Sequence, residues 1–131
     1  MVQPSYPIMH GSAAVSVPET PGVYALENTI TGAFYVGCAT NLRNRYRGWH
    51  AKGRQTEVRL RRYCSPPLAR EIATAPQEGW RFVVLVTSEG MSDDERFALE
   101  ARAIERALEH KGDRCLNAQY GGLNGVGKPI Y

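Results

Sequence analysis

Four side chains, far apart along the chain, carry groups that could act on one substrate. They are the phenols of Tyr24 and Tyr35, the guanidinium of Arg45 and the carboxylate of Glu100. A phenol exchanges a proton, a guanidinium fork matches the oxygens of a phosphate, and a lone carboxylate can hold a hard cation through one oxygen. Each has an ordinary structural explanation when taken singly. Tyrosines stabilise sheets, arginines form salt bridges, and glutamates decorate helix surfaces. The set carries meaning only if the fold gathers it, so the elements that hold these residues decide the matter.

Tyr24 stands in Gly22-Val23-Tyr24 and Tyr35 in Tyr35-Val36-Gly37, both β-prone runs. They predict strands over 22–27 and 33–38, with Asn28-Thr29-Ile30-Thr31-Gly32 as a hairpin loop. A loop with an even number of residues puts both phenols on one sheet face. Pro21 fits a strand entry. A helix over 41–52 follows, capped by Thr40 or Asn41 and stopped near Gly53. Leu42, Tyr46 and Trp49 form its buried stripe. Arg45 lies beside that stripe, where a charged group needs a partner. Arg43 and Arg47 point toward water or phosphate.

Residues 54–64 read either as a short strand or as a helical turn. Pro66 and Pro67 open a helix through about Ala73, and Trp80 to Thr87 is an apolar strand. Ser92-Asp93-Asp94-Glu95 matches a capping box, which starts a helix running to about His110. Phe97, Ala101, Ile104 and Leu108 are its expected inward stripe, with Glu100 at the edge. Residues 1–20 read as an irregular arm and 118–131 as a loose tail. The expected architecture is α/β (α+β): one domain over 21–117 with a small three-stranded, mainly antiparallel sheet flanked by helices.

A chain of 131 residues suits a single domain with a real core. No apolar run reaches the roughly 18 residues of a membrane helix, and the first twenty residues lack the basic front end of a secretory signal. Three scattered cysteines, Cys38, Cys64 and Cys115, argue against a disulfide framework or a zinc site and favour a reducing cytoplasm. The net charge is only +3, but its distribution is uneven. No Lys or Arg precedes Arg43; between Arg43 and Arg70 the one acid is Glu57. This arginine-rich middle suits phosphate, and Arg43, Arg47, Lys52, Arg54, Arg59, Arg61 and Arg62 are candidate nucleic-acid contacts. His10, His50 and His110 read as surface residues.

The two tyrosine strings, the Cys38–Arg45 segment leading into a helix, the Glu100 helix and the closing Leu116-Asn117 together resemble the GIY-YIG nuclease domain, in order and spacing over about residues 21–117. The resemblance implies that fold and a divalent-metal-dependent endonuclease. It would hydrolyse double-stranded DNA to 5′-phosphate and 3′-hydroxyl ends. Tyr24 would be the general base and Tyr35 an orienting group. Arg45 would stabilise phosphate charge, and Glu100 would hold one Mg2+ or Mn2+ ion. Gly22, Gly37 and Asn117 would shape the site. Where many members carry a histidine four residues after the arginine, this chain has Trp49; His50 falls one position further and stands as an open candidate. No recognition domain is visible, so an accessory recognition protein or an inhibitor is compatible as a partner. A non-catalytic nucleic-acid-binding module with the same fold, or an RNA-cleaving member, is the alternative.

Overall fold

A computed structural model describes residues 3–9, 11–53 and 55–117. Strand β1 spans Ser5–Pro7, β2 Gly22–Asn28 and β3 Phe34–Ala39. Helix α1 covers Leu42–Lys52, α2 Glu57–Leu60 and α3 Pro66–Thr74, followed by β4 at Trp80–Thr87 and α4 at Asp93–Lys111.

The sheet has four antiparallel strands in the order β1-β4-β2-β3, not the three expected. The extra strand comes from the supposed irregular arm. Ser5, Tyr6 and Pro7 pair with Val83, Phe82 and Arg81. A three-residue strand containing proline leaves no periodic signal, and proline is tolerated there because β1 is an edge. The arm continues as a 3-10 turn over Gly11–Ser16 that packs on α1. The tail 118–131 lies outside the described residues.

Strands β2 and β3 form the predicted hairpin. Asn28 N–H donates to Ala33 O at 2.9 Å, enclosing a four-residue loop. Asn28 Oδ1 accepts from the N–H groups of Ile30 and Thr31, and Gly32 takes φ 82°, the left-handed turn position that glycine occupies without strain. In the resulting register Leu26 faces Tyr35 and Tyr24 faces Gly37. Tyr24 and Tyr35 therefore share a face.

That face is covered by α1, α3 and the N-terminal segment, with Leu26, Leu42, Tyr46, Trp49 and Phe82 in one core cluster. The opposite face carries Val23, Val36 and Cys38 beneath Ile104 and Ala107 of α4. Of the ambiguous stretch, Glu57–Leu60 form helix α2, capped by Thr56, with Leu60 buried and Val58 exposed. The stripe of α4 is also rotated from the expected one. Arg96, Glu100, Ile104 and Ala107 are its buried residues, and Leu108 is exposed. Hydropathy alone placed Leu108 inside and Glu100 at the edge, whereas packing against the edge strand β3 turns Glu100 fully inward.

Candidate functional site

The site is built around Tyr24, which is 1% exposed. Its ring stacks on Phe82 with centroids 4.7 Å apart and lies against Gly37 of the neighbouring strand. A Cβ at Gly37 would fall 2.6 Å from Tyr24 Oη, so glycine is what allows the phenol to lie there. A Cβ at Gly22 would meet the Val86 carbonyl oxygen at 2.5 Å. Between Val23 and Tyr24 the β2–β4 register slips by one residue. Such bulges bend a strand and re-aim its side chains.

Helix α1 delivers two donors to that hydroxyl. Asn41 caps the helix by accepting from Asn44 N–H, and Leu42, Tyr46 and Trp49 anchor its inner side. This sets Arg45 and Trp49, four residues apart, on adjacent turns of one side of the helix. Arg45 Nη1 donates to Tyr24 Oη at 3.3 Å, and Trp49 Nε1 donates to the same oxygen at 2.9 Å. Tyr35 is half-buried beside them, its ring edge-on to Trp49 at 6.2 Å.

Glu100 enters from α4 and is 2% exposed. A negative charge at Glu100 adds the least of the influences on the Tyr24 phenol. Burial pushes the Tyr24 phenol up from its ordinary value. The Arg45 charge and the hydrogen bonds from Trp49 and Arg45 oppose that rise, while Glu100 adds to it. Burial weakens the Arg45 cation, but the charge and hydroxyl of Tyr24, with Tyr35 and Cys38, outweigh it and hold the guanidinium more firmly protonated. Tyr24 and Arg45 are joined by a hydrogen bond with Tyr35 beside them, while Glu100 is buried on α4, whose Ile104 and Ala107 pack on the other face of the sheet.

Asn117 clasps the hairpin from outside. Its Oδ1 accepts from Val36 N–H at 2.8 Å and its Nδ2 donates to Val36 O at 3.0 Å, so one side chain mimics a strand partner for β3. Beside it, Phe34 and Cys115 form a parallel bridge.

The basic candidates separate into groups. Arg43 turns back to the N-terminal segment, donating to Val17 O at 2.8 Å and Val15 O at 3.1 Å and pairing with Glu19. Arg61, the C-cap of α2, pairs with Glu57 at 2.8 Å. Lys52 lies over the Trp49 ring at 4.7 Å, next to the site. Arg47, Arg59 and Arg62 are exposed. Arg54 and His10 lie outside the described residues. His50 is turned away from Tyr24, with Nδ1 2.6 Å from Ile8 O.

Two residues were not anticipated. Hydropathy gives Trp49 a place in the core stripe alone, yet a buried indole N–H needs an acceptor, and that requirement is the available signal. Arg96, 4% exposed and paired with Asp93 at 2.7 Å, lies one turn before Glu100 on the same buried stripe. Nothing in the hydropathy pattern marked it.

Among the described residues no three His, Cys, Asp or Glu side chains converge into a metal cage. Mg2+ commonly keeps most of its waters and takes one or two carboxylates with substrate phosphate, and Glu100 is the residue that would hold such an ion. The three cysteines are buried and form no disulfide among the described residues. Comparison with known proteins finds no matching family model, no matching curated protein and no matching solved structure.

Proposed function

We propose that this chain is a divalent-metal-dependent endonuclease of the GIY-YIG type that hydrolyses DNA phosphodiester bonds to 5′-phosphate and 3′-hydroxyl ends. One observation carries the reading: the buried phenol of Tyr24 is hydrogen-bonded by Arg45, and a buried carboxylate, Glu100, lies on α4. These are the three kinds of group that water attack on a phosphodiester needs: a proton acceptor, a cation for the phosphoryl oxygens and a ligand for a metal ion.

Arg45 bonds Tyr24 with one nitrogen while much of the residue is exposed. Its other donors can therefore meet phosphate oxygens, where charge grows in the transition state. Tyr24 acts as a base only as phenolate. Burial opposes that form, and the two donors aimed at Oη favour it. Tyr35 orients the attacking water or a phosphate oxygen. Glu100 would hold the cation, which when bound supplies positive charge to the phosphoryl group. Lys52, Arg47, Arg59 and Arg62 offer cationic side chains for the DNA backbone. Among the described residues no helix is long and apolar enough to cross a membrane.

A plasmid-nicking assay with Mg2+ or Mn2+ tests the reading. The wild type should nick DNA, and Glu100→Ala and Tyr24→Phe should each slow cleavage by about 100-fold or more. Undiminished cleavage by Glu100→Ala would overturn the site assignment. DNA binding without cleavage under every metal would overturn the catalytic reading, and preferential digestion of structured RNA would overturn the substrate.

A further inference from the structure

We infer that Trp49 is a positioning residue: its indole N–H, together with Arg45, occupies two of the hydrogen-bonding directions of Tyr24 Oη and so sets where the Tyr24 proton resides. This rests on the reading of Tyr24 as the proton acceptor and adds a part played by a residue outside the four polar groups.

The argument is one of donors and acceptors. A phenol oxygen offers two acceptor directions and one proton of its own. An indole nitrogen and a guanidinium only donate. Trp49 at 2.9 Å and Arg45 at 3.3 Å therefore both direct hydrogens at Oη, and neither can receive the phenol proton. In the neutral phenol that proton must point along the remaining direction. In the phenolate, the same direction is the one lone pair left to take a proton from water. Two fixed donors thus both favour the anion and define the axis of proton transfer.

Trp49 is well held for this task. It is 6% exposed, its ring meets Tyr35 edge-on, and Lys52 covers its face. The indole cannot rotate away without disturbing both contacts. His50, the neighbouring ring with a nitrogen to offer, is engaged at Ile8 O and is not a substitute.

Trp49→Phe removes the N–H and keeps an aromatic ring. With tyrosine ring carbons labelled and the Tyr24 signal assigned by Tyr24→Phe, the Tyr24 titration in Trp49→Phe should move alkaline by about one to two pH units. In cleavage assays kcat at neutral pH should fall several-fold with KM unchanged, and the acid limb of the rate profile should shift the same way. Trp49→His, which retains a ring N–H, should restore part of both. An unmoved Tyr24 titration in a folded Trp49→Phe protein overturns the inference, as does an unchanged rate profile. The titration needs no DNA, so it stands or falls independently of whether the protein cleaves. Should Trp49→Phe not fold, the wild type supplies the test. It has two indole N–H resonances, from Trp49 and Trp80. Tyr24→Phe should shift one upfield and speed its exchange, and two unperturbed resonances overturn the inference.

Discussion

The Tyr24 hydroxyl lies where the side chain of residue 37 would otherwise be: a Cβ on Gly37 would stand 2.6 Å from Oη and 2.7 Å from Cζ. The two residues face each other across the β2–β3 pair. Gly37→Ala must therefore displace the phenol or spread the strands. Overpacking of this kind costs about 1–3 kcal/mol. The expected outcome is a lower denaturation midpoint together with a shifted Tyr24 ring signal. A midpoint within error of wild type would show that the ring moves without cost.

Asn117 makes two hydrogen bonds to the backbone of Val36 in a buried setting. Asn117→Ala leaves one buried N–H and one buried C=O unpaired, a loss of about 2–4 kcal/mol. Asn117→Asp should be no better, because a carboxylate can accept from the Val36 N–H but opposes the Val36 carbonyl. Urea denaturation of the two variants checks both expectations.

Alkaline pH should destabilise the fold through its buried phenols. Burial pushes Tyr24 and Tyr46 up from the ordinary phenol value. Tyr46 also donates its hydroxyl to Pro7 O. In the unfolded chain these groups ionise near pH ~10. Below that, both states hold their protons and stability does not depend on these groups. Above it, the unfolded chain releases protons that the folded chain retains, so stability falls as pH rises. Melting temperature measured from pH 8 to 11 should drop above pH ~10, and Tyr24→Phe should lessen the drop.

Arg43 and Arg47 lie on the same helix but should respond differently to removal. Arg43 holds two backbone carbonyls of the N-terminal segment. Arg43→Ala should cost about 1–2 kcal/mol of stability. Arg47 is exposed, so Arg47→Ala should stay within about 0.5 kcal/mol of wild type. If Arg47 meets a phosphate, its removal should reduce the salt dependence of DNA binding by about one ion. Thermal melts and salt titrations of duplex binding separate the two roles.

Gly48 sits inside α1, and a Cβ there would meet nothing within 4 Å. Gly48→Ala should therefore stabilise the protein by about 1 kcal/mol, the ordinary helix preference of alanine over glycine. A destabilised Gly48→Ala in thermal denaturation would show a packing role for this position.

Local physics determined a good deal of this protein from sequence alone. The hairpin follows from β-prone strings around an Asn-to-Gly loop, α1 from a polar cap and a 42–46–49 stripe, and α4 from the Ser92–Glu95 capping box, which forms as expected. These signals depend on a few neighbouring residues and so survive without knowledge of the rest. Tertiary structure alone decided the remainder. Strand β1 exists only because β4 offers it an edge. Helix α4 turns Glu100 inward because it packs on β3, against the preference its own hydropathy expresses. The bond from Trp49 to Tyr24 joins residues 25 apart. A hydrogen bond between distant side chains depends on the relative placement of two elements, and no periodicity within either element encodes that distance.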